Sequence, residues 1–154
     1  QLEEESIRQA EYQKQYMVWV EVLKNTTVHR FDEAAVEENT RIVIQDTKRQ
    51  LADYNLTYED YLTYNGMTEA DFEANAESQA KDIVTGHMVA QAIAEKEDLE
   101  LTEAEYQETL SQFAGAIEVT PEAYENQMGR AWIEREALTR KVMEYLVTLA
   151  VITE

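Results

Sequence analysis

The chain has 154 residues, enough for one domain with a sizeable core, and its 44% hydrophobic and 29% charged residues are typical of a globular protein without a membrane span. Its formal net charge is −19, and residues 51–129 hold 18 acids against only Lys81 and Lys96, which excludes the basic surface that nucleic-acid binding needs. It has no cysteine, which excludes disulfides, thiol nucleophiles and thiolate metal sites.

Two helices are predicted in the first third of the chain. Only one proline and four glycines occur in the whole sequence, so long helices are expected. The first helix runs from about Glu3 to Lys24. A second begins after Asp32, a favourable N-cap residue, and ends near Asn55. The apolar face of the first helix carries Tyr16, Trp19, Val20 and Leu23.

Three further helix starts follow a capping-box pattern, in which a threonine oxygen accepts a free amide and an acid three residues later reaches back. The pairs are Thr57 with Asp60, Thr68 with Asp71, and Thr102 with Glu105. The first pair opens a short aromatic helix that ends at Gly66, since glycine readily takes the left-handed conformation. The second opens a long helix to about Glu97, and the third a helix to about Ile117.

The last predicted helix starts at Thr120-Pro121 and continues without interruption toward Ala150. Its seven-residue recurrence includes Met128, Trp132, Arg135, Leu138, Val142, Tyr145 and Leu149. The sum is about five substantial helices. We therefore predict an all-α fold, an elongated multi-helix array with arm-like helices. It would form one helical domain over residues 1–154, with a lead-in helix over residues 1–24 and a body and arms over residues 32–154.

No pattern of a catalytic, metal or cofactor site is found. Neither His29 nor His87 follows a glutamate by three residues, as a helical di-metal site would require, and zinc pairs, Ca²⁺ loops and glycine-rich phosphate loops are missing. His87 lies on an apolar stripe, which favours a hydrogen-bonded structural residue over a base or ligand. Neighbouring acids such as Asp98 and Glu100 are typical of solvated helix faces. We expect no cofactor and no enzymatic activity.

Some apolar side chains are candidates for contact with other polypeptides. Methionine is flexible and polarizable and suits adaptable surfaces, although it is also ordinary core filler. Val84, Ile133 and Val147 fall outside the main stripes of their helices, so we expect them to be exposed or to face a groove. The candidate contact residues are Met17, Met67, Val84, Met88, Met128, Ile133 and Val147.

Four tracts, in order, resemble the C-terminal chaperone region of the bacterial trigger factor family, and the resemblance covers residues 16–154. They are Tyr16 to Leu23 with Lys24-Asn25; Thr57-Tyr58-Glu59-Asp60-Tyr61-Leu62 with Gly66-Met67-Thr68-Glu69-Ala70-Asp71-Phe72; Ala92-Ile93-Ala94-Glu95-Lys96-Glu97 with Leu99-Glu100-Leu101-Thr102-Glu103-Ala104-Glu105; and Val151-Ile152-Thr153-Glu154. The chain departs from the family at one point: a proline usually precedes the second helix, whereas this chain has Arg30-Phe31-Asp32 there.

The resemblance implies an ATP-independent chaperone module that binds unfolded or nascent polypeptides through exposed apolar patches, here the candidate contact residues. It also implies a parent protein with a ribosome-binding domain and a peptidyl-prolyl isomerase domain, neither of which is present in this chain. The chain begins at Gln1 without methionine or a secretory signal, so we expect an excised fragment of a cytoplasmic protein. Ribosome contact would occur only through the absent N-terminal domain.

Two alternative functions remain, besides an enzyme, which the missing motifs disfavour. The helices also fit the helical part of a secreted parvulin-type isomerase chaperone, or a structural module that dimerises through its last helix. The acidity itself indicates a solvated, aggregation-resistant surface or long-range attraction for basic clients.

Overall fold

The protein is built from seven helices over the residues that are described. The computed structural model describes residues 2–150, with side chains from residue 9 onward. The helices are α1 (Leu2–Lys24), α2 (Glu33–Asp53), α3 (Tyr58–Asn65), α4 (Glu69–Glu97), α5 (Glu103–Ala116), α6 (Pro121–Met128) and α7 (Arg130–Leu149). Residues 2–150 contain no strand, and the predicted all-α class is confirmed.

Hydrogen bonds from side chains fix the helix starts as the sequence predicts. Asp32 accepts from the amides of Ala34 and Ala35 at the start of α2. All three capping boxes form, at Thr57, Thr68 and Thr102. In each box the threonine hydroxyl accepts the amide of the acid, and the carboxylate accepts the threonine amide. These bonds satisfy amides that have no partner within the helix, so each start is set locally.

Four helices end with a residue in the left-handed conformation. The φ angles are 55° at Asn55, 61° at Gly66, 55° at Asp98 and 57° at Glu118. In each case the amide of the following residue donates to the carbonyl five residues earlier, as from Leu56 to Leu51 at 2.9 Å. This is the Schellman arrangement, which pairs carbonyl groups left over at the helix end. It turns the chain sharply without proline.

The prediction of one uninterrupted helix from Pro121 to Ala150 is wrong, because the chain breaks at Gly129. This glycine has φ 82° and ψ 140°, a conformation far from any helix and open almost only to glycine. It closes α6 by donating its amide to the Glu125 carbonyl at 2.8 Å, and α7 starts on the next residue. The apolar recurrence continues across the break, which is why periodicity alone missed it.

Replacing Gly129 by alanine is expected to lower the free energy of unfolding by about 1 to 3 kcal/mol, because a Cβ atom strains this backbone conformation. Gly115, inside α5, is the matched control, since a Cβ atom added there would meet no neighbouring atom within 4 Å. Its alanine variant should gain about 0.5 kcal/mol. Urea unfolding of both variants checks this, and equal effects at the two positions would contradict it.

The chain packs as two compact units. The small unit is Val28–Thr85, and the large unit combines Gln1–Thr27 with Gly86–Glu154. The helix α4 contributes its first part to the small unit and its remainder to the large unit. In the small unit, a buried cluster of Val36, Ala80 and Val84 joins α2 to α4. That residues 1–154 form one domain stays a prediction.

The large unit has two apolar clusters, and α7 contributes to both. Near its C-terminal half, Val142 packs with Trp19 of α1 and with Ala90 and Ala94 of α4. Near its start, Ile133 packs with Tyr106 and Leu110 of α5. Helix α7 therefore buries more than one face. The small side chains of α4 leave room for the indole of Trp19, which lies 3.7 Å from the Cβ position of Gly86.

A polar contact holds the start of α5 on α7. Lys141 Nζ lies 2.8 Å from Glu105 Oε1 and 2.6 Å from the carbonyl oxygen of Glu100. The Lys141 ammonium, followed by the hydrogen bonds from Thr102, lowers the pKa of the Glu105 carboxyl from 4.5 to about 2. The Glu105 carboxylate thus accepts the hydrogen bonds of its capping box and also forms an ion pair with α7.

Acid should weaken the large unit through Glu105. Its pKa is lower in the folded protein than in the unfolded chain, so the stabilisation is fully present above pH 4.5 and is lost as the pH falls toward 2. Because the side chain is 40% exposed, we expect only about 1 kcal/mol after solvent screening. Glu105→Gln keeps a capping acceptor but loses the charge. Urea unfolding between pH 7 and 2 should show the two proteins converging near pH 2, and a constant difference would contradict this.

Candidate polypeptide-binding surfaces

An open groove lies between α2 and α4 of the small unit, with a volume of about 980 Å³. The two helices meet at the cluster of Val36, Ala80 and Val84. Near the N-terminus of α4, the Phe72 ring packs against the rings of Tyr58 and Tyr61 from α3, at centroid distances of 5.1 and 6.0 Å. Apolar side chains lining the groove are Phe31, Val36, Ile44, Ala70 and Ala74. Such a surface can accept apolar side chains of another polypeptide.

Charged side chains also line this groove. They are Arg30, Glu33, Glu37, Arg41, Glu73, Glu77 and Lys81. Lys81 Nζ lies 2.6 Å from Glu77 Oε1 along α4, and both side chains are about half exposed. These groups can stay hydrated at the edge while apolar side chains fill the groove. The mixture suits weak binding of varied segments rather than recognition of one small molecule.

Several large apolar side chains of the large unit are exposed. They are Tyr12, Tyr16, Met17, Met88, Val119 and Leu149. Tyr12, Tyr16 and Trp19 lie on one stripe of α1. Of these three, only Trp19 is covered by other helices. Tyr12 and Tyr16 therefore present their aromatic rings to solvent.

The sequence-predicted contact residues are placed unequally. Met17 is 60% and Met88 37% exposed, so both are accessible. Met67, Met128 and Val147 are half-buried. Met128 packs on the cluster that contains Ile133, and these two are the only candidates that share a described apolar cluster. That any of these residues contacts a client stays a prediction.

The expectation that Val84 and Ile133 are exposed is wrong. Val84 is 2% exposed and Ile133 0%. Val84 is enclosed because α2 packs over that side of α4, and Ile133 because α5 packs over a second side of α7. An apolar stripe read from the sequence describes packing against one neighbouring helix, so it leaves out residues that pack against a second helix. Both side chains lie inside apolar clusters of the fold.

Sequence reasoning missed the most exposed aromatic residues, Tyr54 and Tyr64 of the small unit. It also missed the groove, which depends on the separation of two helices that are distant in sequence. The aromatic segment after Thr57 is a visible signal, but its spacing predicts only a helix with a packed face. Tyr58 and Tyr61 do pack on Phe72, whereas Tyr64 is 95% exposed.

His87 is a structural residue, as predicted. Its Nε2 atom lies 2.6 Å from Oε1 of Glu136 on α7, and its side chain is only 7% exposed. This contact ties α4 to α7 inside the large unit. Among the side chains that the structure describes, those of residues 9–150, no group of three or more from histidine, aspartate and glutamate is arranged to hold a metal ion. No helix over the same residues is long and apolar enough to cross a membrane.

Comparison with known proteins identifies one family and several similar proteins. The family described as Bacterial trigger factor protein (TF) C-terminus matches residues 1–148. Trigger factor of Lysinibacillus sphaericus is 28% identical over 120 residues, covering 77% of this chain and 28% of that protein. Trigger factor of Citrifermentans bemidjiense is 28% identical over 127 residues, covering 79% and 28%. Trigger factor of Caldicellulosiruptor bescii is 28% identical over 93 residues, covering 60% and 21%.

The chain belongs to the trigger factor C-terminal family. The match is to the C-terminal region of that family, the helical chaperone part of trigger factor rather than its isomerase domain. The resemblance inferred from the four sequence tracts is thereby confirmed, although Val151-Ile152-Thr153-Glu154 lies outside the described residues. The chain spans only 21 to 28% of the length of these three relatives. No solved structure matches it.

Proposed function

We propose that this chain holds unfolded or nascent polypeptide without ATP, as part of a trigger-factor-like cytoplasmic protein. The observation that carries the proposal is uncovered apolar surface in both units. The small unit has the groove with Phe31 and Ile44, and the large unit exposes Tyr12, Tyr16 and Met17. Large exposed apolar patches are typical of interaction surfaces. Ribosome contact would be made by another domain of the parent protein.

The expected affinity is modest. Covering about 400 Å² of apolar surface at about 25 cal/mol per Å² gives about 10 kcal/mol, and association costs at least about 4 kcal/mol. The difference corresponds to a dissociation constant in the micromolar range. A client would therefore be released readily and could fold. Several separate patches on one chain compensate through avidity.

The net charge of −19 supports the same function. A strongly charged surface keeps a complex with an aggregation-prone client in solution. It also attracts basic segments over distances of about a Debye length. The family match favours this function over the parvulin alternative. A homodimer through α7 stays a prediction.

The test is suppression of aggregation of a model protein diluted from guanidinium, followed by light scattering. Near-stoichiometric amounts of the folded chain should reduce scattering by more than half, whereas an equal mass of serum albumin should reduce it much less. No suppression by a monodisperse, helical sample would overturn the proposal.

A further inference from the structure

The pair Asn65-Gly66, where α3 ends, is chemically labile. The Cγ atom of an asparagine can be attacked by the backbone nitrogen of the next residue, which closes a succinimide ring and expels ammonia. Glycine in the next position favours this attack, because it has no Cβ atom to shield the nitrogen or restrict the backbone. Among the asparagines of the sequence, only Asn65 is followed by glycine.

In the folded protein, hydrogen bonds hold both of the reacting groups. The side-chain amide of Asn65 donates to the carbonyl oxygen of Tyr61 at 2.8 Å. The backbone amide of Gly66 donates to the carbonyl oxygen of Thr63 at 3.2 Å, and Gly66 takes the left-handed conformation with φ 61°. The Gly66 nitrogen must turn toward the Asn65 Cγ atom before it can attack. These bonds of the last turn therefore have to open first.

Little packing keeps this end of α3 closed. Asn65 and Gly66 are exposed, and none of the eight residues of α3 is fully buried. The helix is held mainly by the rings of Tyr58 and Tyr61, which meet the Phe72 ring edge to face. Exposed helix ends with few buried contacts open locally at a small fraction of the free energy of global unfolding. The last turn of α3 therefore opens while the rest of the small unit stays folded.

We propose that Asn65 is a site of spontaneous deamidation whose rate is set by opening of the last turn of α3. In the open turn, the Gly66 amide gives its proton to hydroxide and its nitrogen bonds to Asn65 Cγ. The side-chain nitrogen takes a proton from water and leaves as ammonia. Water then opens the succinimide at either carbonyl carbon. Opening at Cγ yields aspartate, whereas opening at the main-chain carbonyl carbon yields isoaspartate, so one water is consumed and one ammonia released.

Both products weaken the end of the helix. A carboxylate only accepts hydrogen bonds, so it cannot donate to the Tyr61 carbonyl as the Asn65 amide does. It also places a negative charge at the negative end of the helix dipole. Isoaspartate adds a methylene group to the main chain and displaces the amides that follow, including that of Met67, which donates to the Leu62 carbonyl oxygen at 3.0 Å. The modification therefore favours the open turn, and this holds whether or not the chain is a chaperone.

The test is incubation of the full chain at pH 8, followed by brief tryptic digestion and mass spectrometry, with an unincubated sample as the blank. One tryptic peptide, residues 50–81, contains Asn65 together with Asn55 and Asn75, which precede leucine and alanine. All three asparagines are exposed, so the other two are internal controls, and fragment ions assign each gain in mass. Product should form at Asn65 about tenfold faster than at either control, and about tenfold faster again in concentrated urea, where the turn is open throughout.

A pair of variants tests the role of the turn. Phe72→Leu removes the ring against which α3 packs, so it should speed the reaction at Asn65 about threefold in buffer and leave it unchanged in urea. The matched control is Phe113→Leu, which also removes a ring that contacts two aromatic neighbours, but in the large unit. It should leave the Asn65 rate unchanged in both solutions, with circular dichroism confirming that each variant is folded.

Three results would overturn the proposal. The first is reaction at Asn65 no faster than at Asn55 and Asn75, which would mean that the glycine does not make it a site. The second is an equal Asn65 rate in buffer and in urea, which would mean that the turn does not limit the reaction. The third is an equal effect of the two phenylalanine variants. The first two comparisons use the unaltered chain, so they stand even if a variant fails to fold.

Discussion

Replacing Ile133 by alanine is expected to lower the free energy of unfolding by about 3 kcal/mol. The side chain is 0% exposed and packs against Tyr106 and Leu110, so its removal leaves a cavity between α7 and α5. The control is Val147→Ala on the same helix, where the side chain is only half-buried and the loss should stay below about 1 kcal/mol. Urea unfolding followed by circular dichroism at 222 nm measures both.

This comparison also separates a role in folding from a role in client binding. If Ile133→Ala reduces aggregation suppression, the reduction should follow the fraction of unfolded protein and disappear at lower temperature, where the variant is folded. An unchanged unfolding free energy together with weaker suppression would contradict the burial of Ile133 and restore it as a contact residue.

Replacing Ile44 by serine should raise the concentration needed for half-maximal aggregation suppression about tenfold. Ile44 lines the groove of the small unit and is half-buried, so an apolar contact with the client is lost while the core cluster is untouched. Loss of one such contact costs about 1.5 kcal/mol, which corresponds to about a tenfold change in affinity.

Ile42 provides the matched control for Ile44. It lies two residues earlier on α2, is also half-buried, and does not line the groove. Ile42→Ser should change suppression less than about twofold, although its loss of folding stability should be similar. If both serine variants suppress aggregation equally, whether at full or at reduced strength, the groove is not the contact surface.

Local chemistry made the helix starts predictable. Thr57, Thr68 and Thr102 each have an acid three residues later, and Pro121 fits the first turn of a helix, so those starts needed no tertiary information. The break at Gly129 was not predictable from periodicity, since the apolar recurrence runs through it. Only its backbone angles, which a side chain would strain, reveal it.

The candidate surfaces were less accessible to sequence reasoning. Whether Val84 or Ile133 is exposed depends on how many helices pack around α4 and α7, and a single helical stripe does not contain that information. Met17 and Met88, two of the candidate contact residues, are exposed. The groove arises from the spacing of α2 and α4, which are distant in sequence. Family resemblance, rather than any motif of reactive residues, indicated the function.

The most direct measurement is the binding of one client in its folded and unfolded forms. Reduced and alkylated α-lactalbumin is permanently unfolded and carries a net negative charge, so attraction to an acidic chaperone cannot explain binding. Fluorescence anisotropy at 150 mM salt should give a micromolar dissociation constant for the unfolded form and none measurable for the native form. Equal binding of both forms, or binding of neither, would contradict a chaperone that acts through uncovered apolar side chains.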